Sequence, residues 1–309
     1  MRKLFVLLSL IALSTSNAFA WGQEGHRIVC RIAYDLLTPE EKGKVDALTK
    51  AYKTPPDTDL QIGGFPDACI FPDEARAKAV KAEQDKVTDS PWLHFSKFNK
   101  QHFLNVDRST QTIPASACHD DCVISGIESQ ATQLKTGAND QERAEGLIFL
   151  GHFVGDIHQP LHVSYESDQG GNLVKPVTGG FYPIPNKRPG QTEEPQLNLH
   201  SVWDGAILRK AIGVPGWKAF ADRLCKKIKD EQKAKWDASQ PLAWAQESYD
   251  ITTKKDLQYC KKDSAGCESF GHGRVLGKAY QDEFIGTVDL RLEAAGARLA
   301  AMIHEGLRP

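Results

Sequence analysis

Apolar residues recur along this chain mostly at three- and four-residue spacing, the period of an amphipathic helix. From Trp21 to Leu37, two such rows interleave, Ile28, Ile32, Leu36 and Val29, Ala33, Leu37. Thr38-Pro39-Glu40-Glu41 then predicts a fresh helix start, with a capping hydroxyl, a first-turn proline and an acidic first turn. That helix runs through Val45, Leu48 and Ala51 until Thr54-Pro55-Pro56-Asp57 breaks it. Residues 62–73 read as a loop, 74–86 as a polar helix with a solvated face, and 101–107 as extended chain. Further helices are predicted at 123–136, 141–157, 199–212, 217–234 and 242–251. The last, 287–307, carries Val288, Leu292, Ala295, Leu299 and Ile303 as one stripe. Between 167 and 197 glycine and proline are frequent, which suggests a small hairpin at 171–180 and a long loop at 183–195. No repeat or linker divides the chain, so one mainly α domain with a small β excursion is expected.

The first twenty residues stand apart. Met1-Arg2-Lys3, an apolar run from Leu4 to Leu13 and Ala18-Phe19-Ala20 read as a secretory signal peptide, 1–20, leaving a single domain at 21–309. The run is short for a bilayer span, and no later stretch is long and apolar enough for one. Cleavage after Ala20 makes Trp21 the N-terminus, and a secreted or periplasmic location is expected. Arg2 and Lys3 leave with the signal, so 36 basic residues face 40 acidic ones, a formal charge of −4. That balance disfavours a protein gripping nucleic acid through a basic surface, but not an enzyme that meets phosphates with metal ions. Seven cysteines in an exported chain suggest disulfides. Cys118 with Cys122 and Cys260 with Cys267 lie close enough for small loops. Cys30, Cys69 and Cys225 remain, and Cys30, inside a helical apolar pattern, is expected to be a free thiol.

The chemistry concentrates in Gly151-His152-Phe153-Val154-Gly155-Asp156-Ile157-His158-Gln159-Pro160-Leu161-His162. His152 and Asp156 are four apart and share one helix face, as do His200 and Asp204. One such pair is what a helical ion pair also needs, but two pairs with His162 nearby point to metal ligation. His162 lies beyond the helix-ending Pro160. His158, six residues after His152, faces away from it and is expected to be structural or to support a ligand from behind. Asp67, His102 and His26 are further candidates; His26 follows a predicted free α-amine by five residues. Histidine with carboxylate, and no cysteine, favours zinc or a similar divalent ion.

Mature Trp-x-x-x-x-His, His-Phe-x-Gly-Asp-x-x-Gln-Pro-x-His, Gly-Gly-Asn and Asn-Leu-His-Ser-x-Trp-Asp follow one another in order. The chain thereby resembles the zinc-dependent single-strand-specific nucleases, which are also 3′-nucleotidases and are related to the zinc-dependent phospholipases C. The resemblance implies a single-domain helical phospholipase C/nuclease-like fold and three zinc ions per chain. Asp67, His102, His152 and Asp156 would hold one ion. Trp21, through its amine and carbonyl, with His26 and again Asp156 would hold a second, and His162, His200 and Asp204 a third. His94 matches the same His-aromatic pattern as His102, but Phe103-Leu104-Asn105-Val106 follows His102 in the family's order. The basic residue that often follows the family's aspartate by three is absent after Asp67, since position 70 is Ile70; Arg76 is the candidate to replace it.

The resemblance further implies hydrolysis of single-stranded DNA and RNA to 5′-nucleotides and of 3′-mononucleotides; a monomer with no membrane span is expected. A hydroxide held between the ions that share Asp156 would attack phosphorus in line, with Asp67 and Asp156 as the catalytic pair. Phe103 would stack on a base and Asn105 hydrogen-bond it, with Asn172 and Asn198 as further substrate contacts. A phospholipase C on this scaffold is the nearest rival, though its last ligand pair tends to be His-x-x-x-Glu. A non-catalytic envelope zinc-binding protein is another, and leaves the aromatic beside His102 unexplained.

Overall fold

The computed structural model describes residues 21–118, 121–174, 177–178, 197–237, 240–254, 257, 259–263, 266–269 and 275–308. The expected signal segment and the whole of the 183–195 loop lie outside them. The helices are α1 (Gly22–Leu36), α2 (Pro39–Ala51), α3 (Phe65–Ala68), α4 (Phe71–Gln84), α5 (Val123–Thr136), α6 (Asp140–His158), α7 (Leu199–Ser201), α8 (Ile207–Ile212), α9 (Gly216–Cys225), α10 (Asp230–Asp237), α11 (Pro241–Thr252) and α12 (Lys278–Gly306). The fold is mainly α, as expected.

α6 is the axis. Every residue from Ala144 to His158 is buried, as befits a helix surrounded on all sides. α1, α2, α4, α5, α11 and α12 pack around it. On one side Phe71, Phe95, Phe98, Phe149 and Phe153 interlock, with the Phe98 and Phe149 rings 4.4 Å apart. On the other, the C-terminal end of α6 meets α11 and α12. Arg291 and Arg298 there share the Glu247 carboxylate. Arg298 Nη1 also donates to His158 Nε2 at 2.7 Å, while His158 Nδ1 donates to the Val154 carbonyl. His158 is structural, as its angular position predicts.

Among the described residues, three two-stranded pairings supplement the helices. β1 (Leu104–Val106) runs parallel to β2 (Val163–Tyr165), with Leu104 opposite Val163. β3 (Val177–Thr178) pairs in parallel with β6 (Val275–Leu276), a long-range contact rather than the local hairpin expected at 171–180. The antiparallel pair is β4 (Cys260–Asp263) with β5 (Gly266–Ser269).

Several elements depart from expectation. The 62–73 segment is not all loop: Pro66 and Pro72 sit in the first turns of α3 and α4, where a missing N–H costs nothing. α4 also has a buried face, including Phe71, Asp73, Ala75 and Ala79. The predicted 217–234 helix breaks into α9 and α10. The last helix starts at Lys278, held by buried Tyr280 and Phe284; the Trp203 indole donates to the Tyr280 hydroxyl at 3.0 Å. Cys30 is not the free thiol: it is bonded to Cys69, and Cys225 is free among the described residues. A helical apolar pattern suits a buried half-cystine as well as a thiol. Cys118–Cys122 forms as expected, and the side chains of Cys260 and Cys267 lie outside the described structure.

The start of α2 is the capping box that the sequence spells. The Glu41 amide donates to Thr38 Oγ1 at 3.3 Å, and Glu41 Oε2 accepts from the Thr38 amide at 2.8 Å. Partial burial opposes ionisation of Glu41, but hydrogen bonds from His304, at the end of α12, and from Thr38 outweigh it and bring its pKa from 4.5 to about 2. A depressed folded pKa stabilises the fold above the unfolded value, and that stability drains away as pH falls through the folded one. Glu41→Gln is therefore predicted to lower the urea midpoint at pH 6, with the difference from the parent shrinking between pH 4.5 and 2. A difference that stays constant across that range would refute the linkage.

Candidate metal centre

α6 carries the centre's middle, and two of its glycines let neighbours come close. A Cβ at Gly155 would stand 2.8 Å from His26 Nδ1, so only glycine lets the α1 side chain approach. The His26 ring stacks on that of His152 at 3.8 Å. A Cβ at Gly151 would meet both sulfurs of the Cys30–Cys69 disulfide within 2.8 Å. That disulfide lies against α6 one residue before His152, and His152 Nδ1 donates to the Cys69 carbonyl at 2.8 Å. The bond orients the ring with Nε2 facing the centre.

His102 and His162 arrive by a different device. Each lies one or two residues ahead of a strand of the β1–β2 ladder, so pairing those strands sets the two histidines side by side. His162 Nδ1 donates to the His102 carbonyl. His102 Nδ1 lies 3.1 Å from Asp156 Oδ2 and 3.1 Å from His152 Nε2. His200 and Asp204 stand on α7 and the π-helical turn Val202–Ala206 that joins it to α8. π turns recur at functional sites because they re-aim a side chain within a helix. His200 Nε2 lies 3.5 Å from Asp204 Oδ2 and 3.2 Å from His162 Nε2. The Gln159 amide holds Asp204 Oδ1 at 2.5 Å.

Among the described residues, three groups place one ligand atom from each member within 4.8 Å of the others: His26 with Asp73 and His152, His102 with His152 and Asp156, and His162 with His200 and Asp204. All eight side chains are buried. Both Asp156 oxygens, both His26 nitrogens, His102 Nε2 and Asp73 Oδ2 lack any hydrogen-bond partner. Buried polar groups are normally paired, so such a concentration of orphans marks a place for a cation. Burial pushes the His26, His102 and His162 pKa values well down and that of His200 to about 4. Those rings are neutral, with lone pairs free to coordinate. Burial likewise raises Asp156 and Asp204. His152 is also desolvated, but the Asp156 and Asp73 carboxylates outweigh that and raise its pKa. A divalent cation would relieve the stress on both acids, and nitrogen and oxygen donors without thiolate suit zinc.

The sequence-predicted residues divide accordingly. His26, His102, His152, Asp156, His162, His200 and Asp204 come together. Trp21 is fully buried at the start of α1. Asp67 does not join them: its side chain is 31% exposed and accepts from Arg27 Nε at 2.8 Å. Asp73 takes its place, with Oδ1 3.5 Å from His152 Nε2 and 3.9 Å from His102 Nδ1. The signal was present. Phe71-Pro72-Asp73 repeats Phe65-Pro66-Asp67, and Arg76 follows Asp73 by the three positions that fail after Asp67. His94 is 52% exposed and pairs with Glu145 at 2.9 Å, away from the centre.

Arg76 stands 5.7 Å from the centroid of Phe103. Burial lowers its pKa, against the pull of Asp73 and Asp156. Asn105 Oδ1 is buried without a partner. Asn198 instead caps α7, accepting from Ser201 N at 2.7 Å, and donates to Asn172 Oδ1 at 3.2 Å. Asn172 Nδ2 donates to the Gln169 carbonyl. Both of those amides are occupied within the protein.

The S1/P1 Nuclease family model matches residues 21–308. Endonuclease 2 of Arabidopsis thaliana is 28% identical over 97% of this chain and 95% of its own length. Endonuclease 1 of the same plant is 27% identical over 98% and 92%. Nuclease P1 of Penicillium citrinum is 25% identical over 92% and 97%.

The two Phe-Pro-Asp aspartates are separable by experiment. Asp73→Asn is predicted to lower bound metal by at least one equivalent in elemental analysis of the purified protein. Asp67→Asn should keep full metal content and lose only a partly exposed ion pair, about 1 kcal/mol or less. The reverse pattern would return the ligand to Asp67.

Proposed function

The chain belongs to the S1/P1 nuclease family, and we propose that it is a secreted or periplasmic zinc-dependent hydrolase of single-stranded DNA and RNA that also removes phosphate from 3′-mononucleotides. The observation that carries this reading is the set of orphaned buried His and Asp atoms, with a cationic and an aromatic side chain beside it.

Three zinc ions fit the donor set. Asp73, His102, His152 and Asp156 would hold one. His26, Asp156 and the α-amine and carbonyl of Trp21 would hold a second, and His162, His200 and Asp204 a third. Zinc, when bound, supplies a Lewis acid that activates water at neutral pH and offsets charge on phosphoryl oxygens. The protein's own residues do the rest. Asp156 offers one oxygen toward His26 (3.4 Å) and the other toward His102 and His152, so it can serve two positions at once. Asp73 and Asp156 are the acids facing the reacting phosphate. The Arg76 guanidinium would bind a phosphate oxygen, the role for which the sequence offers it as the candidate. Phe103 presents a ring on which any unpaired base can stack, which selects single strands because duplex bases are already stacked. Asn105 is the amide left to hydrogen-bond a base. Among the described residues no helix is long and apolar enough to cross a membrane.

The zinc-loaded protein starting at Trp21 is predicted to cleave single-stranded DNA and RNA faster than duplex DNA, and to release phosphate from 3′-AMP. Phe103→Ala should weaken single-strand binding by about 5- to 150-fold, since one base stack contributes about 1–3 kcal/mol. A fully loaded protein inert on all these substrates would overturn the reading. Extra residues before Trp21 should remove one zinc equivalent; three retained ions in such a protein would exclude the α-amine as a ligand.

A further inference from the structure

Behind His200 runs a chain of contacts that the proposed reaction does not use. His200 Nδ1 donates to the Gly170 carbonyl at 2.7 Å. A carbonyl only accepts, so this contact fixes the proton on Nδ1 and leaves the Nε2 lone pair facing His162 and Asp204. The Gly170 carbonyl sits in a turn with no freedom of its own. Gly170 has φ +65°, and a Cβ there would stand 2.6 Å from the Leu161 carbonyl. The turn is tied down by Asp168, which is 6% exposed. Asp168 Oδ1 accepts from the Gly171 amide at 2.9 Å and from the Tyr259 hydroxyl, and Oδ2 accepts from Arg108 Nη2. Tyr259 is itself buried and accepts from Ser164 Oγ on β2 at 3.1 Å. Arg108, just beyond β1, stacks over the Tyr165 ring at 4.8 Å.

We infer that Asp168 is a positioning residue for the metal group His162–His200–Asp204, acting through the Gly170–Gly171 turn to fix the tautomer and direction of His200. The inference rests on the proposal that His200 is a metal ligand. Its chemistry needs a carboxylate. Oδ1 takes two donors and Oδ2 a third, so an asparagine must turn its NH2 toward a donor whichever way it sits. The anion also balances Arg108, which would otherwise be a cation on the ligand side of the turn. The arrangement links the β1–β2 ladder, which places His102 and His162, to the turn that places His200. One carboxylate thus holds in register the strands and the loop that bring the third group together.

The test is metal affinity, read by competition with a chromogenic chelator and elemental analysis. Asp168→Asn is predicted to weaken one zinc of the set by about 10–100-fold, the usual cost of losing an outer partner of a ligand, and to leave the others at parent affinity. His200→Ala should lose the same ion, and the double variant should lose nothing more, because both act on one site. Tyr259→Phe removes one donor to Asp168 and should weaken that ion in the same direction but less; it carries the test if Asp168→Asn does not fold. Parent affinity for all ions in both Asp168→Asn and Tyr259→Phe, with His200→Ala losing one, overturns the inference alone. Uniform loss of every ion with a lowered melting temperature also overturns it, since that is a structural role. Full metal content in His200→Ala overturns the ligand assignment beneath it.

Discussion

A carboxylate with two oxygens and no hydrogen-bond donor, sealed inside a helical core, is an unstable arrangement by itself. Asp156 is in that position, fully buried on the helix around which α1, α2, α4, α5, α11 and α12 pack. Leaving an ion unpaired in a protein interior costs several kcal/mol, and around Asp156 the cost is compounded by Asp73 and Asp204. Burial drives His26, His102, His162 and His200 to the neutral form, so of the histidines only His152, whose pKa the Asp156 and Asp73 carboxylates raise, can offset it by protonation. What the other four offer is lone pairs. A bound cation would supply the remaining positive charge, and the fold would be more stable with it than without. A metal-free preparation is thus expected to melt lower than the loaded one.

Holding neutral imidazoles with a chosen nitrogen inward is a problem of its own, and the chain solves it the same way three times. The Nδ1 atoms of His152, His162 and His200 donate to the backbone carbonyls of Cys69, His102 and Gly170. Each carbonyl is fixed by a non-local constraint: a disulfide resting on Gly151, a parallel strand pair, and a left-handed glycine turn. His158 shows the contrast. It makes the same Nδ1 contact to a carbonyl, but Arg298 donates to its other nitrogen, so no lone pair is left. The difference between a ligand and a structural histidine on one helix is what lies beyond Nε2.

How much of this the sequence displays follows from the range of each constraint. His152–Asp156 and His200–Asp204 are legible because four-residue spacing on a helix is local geometry, although the turn between α7 and α8 proves to be π rather than regular. The capping box at Thr38 and the outward turn of His158 are legible for the same reason. Asp73 is easily passed over, because Phe-Pro-Asp occurs twice and only one copy ends up beside His102; the one local mark that separates the copies is Arg76, three residues after Asp73. Cys30–Cys69 was hidden too. Its partner lies 39 residues away, and the short α3 that delivers it contains a proline that reads as loop. The parallel ladders, which pair β1 with β2 and β3 with β6, leave no local mark at all.

The adjacency of ligand and substrate platform carries the proposed selectivity. Phe103 follows His102 directly, and Arg76 follows Asp73 by three residues on α4, so the groups proposed to meet base and phosphate are anchored on the same backbone that would anchor the ions. A strand stacked on Phe103 would bring its phosphate toward Arg76 and the orphaned atoms beside it without any separate binding domain. A duplex would have to break its own stacking and pairing before it could do the same, at a cost of a few kcal/mol per base. Preference for unpaired strands then needs no surface that reads a sequence or a groove. It also explains how a chain with more acidic than basic residues can act on polyanions: the charge that attracts phosphate would be supplied at one point, by metal and a single arginine, rather than spread over the surface.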